Sequence, residues 1–129
     1  MHVTTTRIQS GSSWTSASLS ALDSNATLLL LFGASHLIDT PDRIRQVLEA
    51  CPRSHVMGCS TAGEIHGHEI SDDSLVIAAV RFDKTRLRTT HAAVHTPKDS
   101  YAAGRAIAEQ LKHPSLRGVL DSVVTRFGI

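Results

Sequence analysis

The feature that most constrains the fold is a continuous apolar run at residues 28–32, which Gly33 closes. A run of this length without polar alternation is typical of a strand that is buried on both faces in a parallel sheet. Thr40 and Pro41 then provide an N-cap oxygen and a residue suited to the first helical position. Apolar residues recur after them at helical spacing, at Ile44, Val47, Leu48 and Cys51. Because residues 55–59 form a second predicted strand, this segment predicts a right-handed crossover between two parallel strands.

The rest of the chain adds elements on both sides of this unit. They are an edge strand at residues 7–14, a short helix at 16–22, an apolar strand at 74–82, its antiparallel hairpin partner at 85–94, a helix that Asp99 or Ser100 caps and Pro114 ends, and a strand at 116–120. We therefore expect one α/β domain over residues 1–129. Its sheet is expected to be mixed and largely parallel, with flanking helices and an antiparallel hairpin.

Composition excludes several classes of protein. The 129 residues are 41% hydrophobic and 19% charged, which is ordinary for a folded domain. A net charge of +1 and an aromatic content of 4% argue against a nucleic-acid partner. The longest apolar run is too short to span a membrane, no segment has the pattern of a targeting peptide, and two cysteines make no secreted disulfide framework. We therefore expect a cytoplasmic protein with no membrane or nucleic-acid partner.

The segment after the second parallel strand is the most informative for function. Its residues are mostly small and spell GCSTAGEI from Gly58 to Ile65, so the backbone can turn sharply and another molecule can approach it. Thr61 and Glu64 have capping-box spacing, which predicts a short helix that begins at Thr61. Free N–H groups at such a helix start would form a site for an anion or a carboxylate. The alternative is that the small residues serve only the turn.

A family resemblance rests on this motif and on the residues C-terminal to it. GCSTAGEI, then Gly67, residues 70–72 and the strand at 74–78, resembles the N-terminal domain of the FIST family, named for F-box and intracellular signal transduction. The early strand at residues 28–35 is similar too, and the order of the later elements fits, so the resemblance covers most of the chain. Residues 121–129 do not resemble the usual continuation. We therefore expect the chain to correspond to the first part of a FIST N-terminal domain.

The resemblance implies a sensory domain of bacterial signalling proteins that binds small molecules such as amino acids. We expect no enzymatic activity, because the sequence offers no base, nucleophile and orienting group with a defined spacing. The residues expected to bind the ligand are Gly58, Cys59, Ser60, Thr61, Ala62, Gly63 and Glu64. Backbone groups and hydroxyls would hold the ligand, while Glu64 would cap the turn or meet a ligand amine. Some relatives are haem-binding nitric oxide sensors, so haem is an alternative ligand, with His55 or His36 as the axial residue. A further alternative is an interaction module that a homodimer or a signalling partner completes.

Three other residue patterns have competing interpretations. His66 and His68 have a spacing that could ligate a metal, although solvated loop histidines are the simpler interpretation, and His91 and His95 share that interpretation. Cys59 could be a nucleophile, but a packed cysteine is more common. The basic residues Lys84, Arg86 and Arg88 share one strand face and are expected to protect a solvated edge. We expect no metal site and no catalytic residues.

Overall fold

A computed structural model of the chain describes residues 1–11 and 14–121. These residues form two compact units, Met1–Leu87 and Arg88–Asp121. The first unit holds every strand that the structure describes, and the second holds one α-helix. The α/β class expected from the sequence is confirmed. That residues 1–129 form a single domain stays a prediction.

The strand–helix–strand unit predicted from the apolar run is present. Strand β2 (Thr27–Ala34) leads through a 3₁₀ turn (Ser35–Ile38) into helix α2 (Asp42–Ala50), and strand β3 (His55–Thr61) follows. The two strands are parallel, with register from Leu28 opposite His55 to Ala34 opposite Thr61. The prediction that Thr40 caps α2 is wrong. The carbonyl oxygen of Pro41 accepts the first helical hydrogen bond, from the Arg45 amide at 2.9 Å, so Thr40 lies one residue too early.

The four-stranded sheet has the order β1-β6-β2-β3, with β1 at His2–Gln9 and β6 at Ser74–Arg81. Strand β6 is antiparallel to both of its neighbours, so the expected largely parallel sheet has a single parallel pair among the described strands. A parallel return from β3 needs a crossover, usually a helix. Residues 62–73 instead form a small hairpin, so β6 starts at the end of the sheet where β3 stops.

That hairpin consists of β4 (Glu64–His66) and β5 (Glu69–Ser71), and Gly67 turns it with a φ of 64°. The antiparallel hairpin expected between residues 74–82 and 85–94 is wrong. Strands β1 and β2 occupy both edges of β6, which leaves no edge for a third strand. Residues 85–94 therefore form no strand, and the expected strand face of Lys84, Arg86 and Arg88 does not exist.

Burial alternates along β2, because the helices of the first unit lie on one face of the sheet. Helix α1 (Ala17–Ser20) and helix α2 contribute Leu19 and Val47 to the core, which also includes Leu29, Leu31 and Ile77. The prediction that residues 28–32 are buried on both faces is wrong, since Phe32 on the other face is 38% exposed. The edge strand expected at residues 7–14 overlaps strand β1 only at residues 7–9, because β1 pairs with β6 along residues 2–9 and ends there.

In the second unit, helix α3 (Ser100–Leu111) confirms the helix expected there. A 3₁₀ turn (Pro97–Asp99) precedes it, and Thr96 and Asp99 form a capping box in which the Thr96 amide donates to the Asp99 carboxylate at 2.8 Å. The strand predicted at residues 116–120 is absent. The described part of this unit holds no sheet edge with which such a strand could pair.

Candidate functional site

A cavity of about 150 Å³ lies between the sheet and α2, toward the carboxyl end of β2 and beside residues 56–59 of β3. The residues that line it are Leu31, Gly33, Ala34, Leu37, Ile44, Leu48, Val56, Met57, Gly58, Cys59 and Leu75. Apolar residues therefore form most of the wall. In open α/β sheets, ligands bind at the carboxyl ends of the strands, where the connecting segments leave room. The cavity has this position relative to β2.

Two glycines control how closely the walls of the cavity approach. A Cβ on Gly58 would lie 2.3 Å from the Leu31 carbonyl oxygen, so only glycine permits the observed spacing of β2 and β3 here. A Cβ on Gly33 would lie 2.9 Å from Leu37 Cδ1 and 3.0 Å from Leu75 Cδ1. These atoms are the ends of flexible side chains that line the cavity. A methyl group on Gly33 would therefore take up part of the cavity.

The turn after β3 contains no helix, so the helix start predicted at Thr61 is wrong. Thr61 ends β3, and Glu64 begins β4. The capping-box spacing nevertheless brings the two side chains together, since the Thr61 hydroxyl donates to Glu64 Oε1 at 2.7 Å. Glu64 is only 2% exposed, and its Oε2 accepts from the Ser74 amide at 3.2 Å and the Ser74 hydroxyl at 3.0 Å. The carboxylate therefore anchors the small hairpin to the start of β6.

A polar cluster lies at the same end of the sheet. Asp73 accepts hydrogen bonds from His36 Nε2 at 2.9 Å and from Arg43 Nη1 at 3.3 Å, and Arg43 also donates to the Ser10 hydroxyl. Hydrogen bonds from Ser10 and His36 lower the pKa of Asp73, so the carboxylate is ionised at neutral pH. His36, Arg43 and Asp73 each lie within two residues of a residue that lines the cavity. The segment that follows β2 and the start of β6 therefore contribute residues both to the cluster and to the wall of the cavity.

The structure separates the seven predicted ligand-binding residues into two groups. Gly58 and Cys59 line the cavity. The other five, from Ser60 to Glu64, lie beyond its lining: Ser60 and Thr61 end β3, Ala62 and Gly63 form the turn, and Glu64 begins β4. Their role in binding stays a prediction, although both Glu64 oxygens already accept hydrogen bonds from the protein.

The cavity walls that α2 and the 3₁₀ turn provide were not predicted from the sequence. Ile44 and Leu48 show helical spacing, which was sufficient to predict a helix packed on a core, and Leu37 lies in a connection. Gly33 and Gly58 are the signal that could have located the cavity. They lie on adjacent parallel strands, and each marks a point where side chains or backbone approach closely.

The other candidate sites find little support. Across residues 1–11 and 14–121, no three His, Cys, Asp or Glu side chains come together to hold a metal ion. His36 bonds to Asp73 rather than facing an apolar pocket. A cavity of about 150 Å³ is smaller than the roughly 300 Å³ at which pockets for drug-sized ligands begin, so it does not fit a porphyrin.

Among the described helices, none has the length and apolar character needed to cross a membrane.

The two cysteines are free thiols. Burial, and next the nearby Asp23 carboxylate, raise the pKa of the Cys51 thiol, which makes it a weak nucleophile. Cys59 is half-buried on β3 and contributes to the wall of the cavity.

Comparison with known proteins gives one match. The sequence model of one protein family, described as FIST N domain, matches residues 27–127. This range includes the parallel strand pair, the cavity, the small hairpin and helix α3. Neither a curated protein nor a solved structure is similar enough to this chain to be a match.

Proposed function

Since this chain belongs to the FIST N domain family, which consists of sensory domains of signal transduction, we propose that it binds a small apolar or amphipathic molecule. The proposed binding site is the cavity between helix α2, the carboxyl end of β2 and residues 56–59 of β3. We further propose that the protein acts in bacterial signalling in the cytoplasm. Its free Cys51 and Cys59 fit a reducing compartment.

The observation that carries this proposal is the size and lining of the cavity. A volume of about 150 Å³ matches that of engineered apolar cavities that bind benzene. The side chain of a branched aliphatic or aromatic amino acid has about this size. Leucine, isoleucine, valine and phenylalanine are therefore the first ligands to test.

The polar cluster supports an amphipathic ligand over a purely apolar one. Arg43 offers guanidinium donors for a carboxylate, and the ionised Asp73 offers acceptors for an amine. Because Arg43 precedes Ile44 on α2, its side chain starts from the same helical turn that forms the cavity wall. We propose that the cluster binds the polar end of the ligand while the cavity holds its apolar end.

We propose binding without turnover. The residues that line the cavity are aliphatic residues, two glycines, a methionine and a cysteine, so the groups that could transfer a proton are those of the polar cluster, where the Asp73 carboxylate already accepts hydrogen bonds from His36 and Arg43. Strands and helix α2 both contribute to the wall. A ligand would therefore contact α2 and the sheet together, which gives binding a direct effect on how the helix packs.

The test is a thermal-shift and calorimetry screen with the amino acids named above, and with glycine as the ligand that lacks an apolar side chain. A ligand present at about 100 times its Kd stabilises the folded state by about 2.7 kcal/mol and raises Tm by roughly 5–10 °C. We expect an aliphatic or aromatic amino acid to do so and glycine to have no effect. The proposal is wrong if none of these compounds raises Tm.

Two matched glycine variants locate the site. Gly33→Ala places a methyl group among Leu37 and Leu75 and should weaken binding at least about tenfold, because it fills part of the cavity. Gly63→Ala places a methyl group 3.3 Å from the Asp72 side chain, in the turn after β3, and should leave affinity unchanged. If Gly63→Ala weakened binding and Gly33→Ala did not, the ligand would bind at the GCSTAGEI turn and not in the cavity.

A further inference from the structure

The four-stranded sheet has a second face on which neither helix of its own unit packs. Its strand residues alternate with those that face α1 and α2. Apolar side chains dominate this open face, namely Val3, Leu28, Leu30, Phe32, Met57, Val76, Ala78 and Val80. Val3 is 51% exposed and Phe32 is 38% exposed, and most of the others are half-buried. An apolar sheet surface of this kind indicates a site of protein association.

Charge on the open face favours a second copy of this chain as the partner. Arg7 is the only Lys, Arg, Asp or Glu among the described strand residues of this face, and its guanidinium is paired with Glu69 of β5 at 2.5 Å. Two copies placed face to face would therefore bring together apolar side chains without repulsion between like charges. A strongly charged partner protein would find no unpaired Lys, Arg, Asp or Glu side chain of opposite charge on these strands.

The area of the open face also fits a reversible dimer. Four strands spaced about 4.8 Å apart and about eight residues long, at about 3.3 Å per residue, cover roughly 500 Å². Two such faces in contact would bury at most roughly 1,000 Å², the lower limit for a specific interface, because the small hairpin covers one end of each face and Val76 is already only 8% exposed. We therefore expect a dimer that dissociates on dilution.

The small hairpin defines how two copies can stack. Glu64 bonds to Ser74, and Arg7 bonds to Glu69, so β4 and β5 stand on the open face at one end of its strands. Two hairpins at the same end would collide. A two-fold axis that runs across the strands places them at opposite ends and leaves the apolar centre free for contact.

From these observations we propose that two copies of the protein associate through the open faces of their sheets, with Phe32 and Leu30 near the centre of the interface. Each hairpin lies beside the far end of the partner's sheet. The arrangement is that of two sheets packed face to face about 10 Å apart. The proposal does not rest on the ligand proposed above, since Leu30 and Phe32 do not line the cavity.

Analytical ultracentrifugation of the full chain, from about 1 µM to about 500 µM, tests the proposal. We expect the mass to rise from the 13.9 kDa of one chain toward twice that value as concentration increases. Phe32→Lys should raise the dimer Kd at least about tenfold, because it buries an unpaired charge at the centre of the interface. The matched control is Gln46→Lys, which adds the same charge at an exposed position on α2, the helix that covers the other face.

Val3→Lys is the second variant, because its exposed position on the edge strand β1 tolerates a charge without loss of folding. Circular dichroism establishes that each variant is folded. A wild-type chain that stays monomeric over the whole concentration range would overturn the proposal. So would a dimer that both Phe32→Lys and Val3→Lys leave intact, or one that Gln46→Lys weakens equally.

Discussion

Glu64 shows how a single residue joins two parts of the first unit. Its carboxylate is nearly fully buried and accepts hydrogen bonds from the Thr61 hydroxyl and from the amide and hydroxyl of Ser74. A buried carboxylate is costly unless donors of this kind satisfy it. The hairpin β4–β5 therefore stays attached to β6 through a polar contact whose loss would leave several donors without a partner.

At this scale we predict that Glu64→Ala lowers the free energy of unfolding by about 2–4 kcal/mol, because three donors lose their acceptor. Urea denaturation measures the change. Glu69→Gln is the matched control, since Glu69 is 69% exposed and forms a surface ion pair worth at most about 1 kcal/mol. Equal losses for the two variants would show that the buried network has no special role.

At the scale of elements, the two parallel strands are connected at their amino ends by Asp23. Its carboxylate accepts from the Arg53 amide at 3.0 Å, from Arg53 Nε at 3.1 Å and from the Ser54 hydroxyl at 2.8 Å. Arg53 also donates to the Asp23 carbonyl oxygen. These bonds hold the segment before β3 beside the segment before β2, which favours the observed parallel register.

Asp23 gives the protein a specific acid sensitivity. Burial by itself raises the pKa of Asp23, but the hydrogen bonds from Ser54 and Arg53 outweigh it, so the pKa in the folded state is lower than usual. Asp23 therefore stabilises the fold fully above its unfolded pKa of about 3.9, and this stabilisation is lost as pH falls through the folded pKa.

We predict that Asp23→Asn reduces the free energy of unfolding at pH 7 by about 1–3 kcal/mol, and that the difference from the wild-type protein shrinks below about pH 4. Urea titrations at several pH values measure both effects. Asp42→Asn is the control, because Asp42 is 76% exposed on α2 and should change stability by less than about 0.5 kcal/mol. A deficit for Asp23→Asn that is independent of pH contradicts the prediction.

At the scale of the whole molecule, the segment after β6 is the main departure from the sequence-based expectation. Residues 85–94 form no strand, and Lys84, Arg86 and Arg88 are exposed where the first compact unit ends and the second begins. A segment whose backbone is not held in a sheet or helix is open to proteases.

We therefore predict that trypsin cleaves first after Lys84, Arg86 or Arg88 and releases a fragment that starts at Met1. Limited proteolysis followed by mass spectrometry identifies the cut sites. Arg7 and Arg43 are the internal controls, since both side chains are at most 20% exposed and paired with carboxylates. The prediction is wrong if this segment resists trypsin for as long as the bonds after Arg7 and Arg43 do.

The sequence by itself determined the elements whose signals are local. The run at residues 28–32, the helical spacing from Ile44 to Cys51 and the strand at residues 74–82 appear as β2, α2 and β6, because burial and periodicity act within a few neighbouring residues. The spacing of Thr61 and Glu64 predicted their contact, although the backbone there is a turn between strands. The GCSTAGEI motif also indicated the family that matches residues 27–127.

Only the tertiary structure decided which elements lie together. The order β1-β6-β2-β3 depends on pairing between residues far apart in the chain, and it closed both edges of β6 to residues 85–94. The cavity required Leu37, Ile44 and Leu75 to come from three different elements, and no local pattern encodes that meeting. The open face exists because both helices of the first unit pack on one side of the sheet, and that packing depends on contacts between residues far apart in the chain.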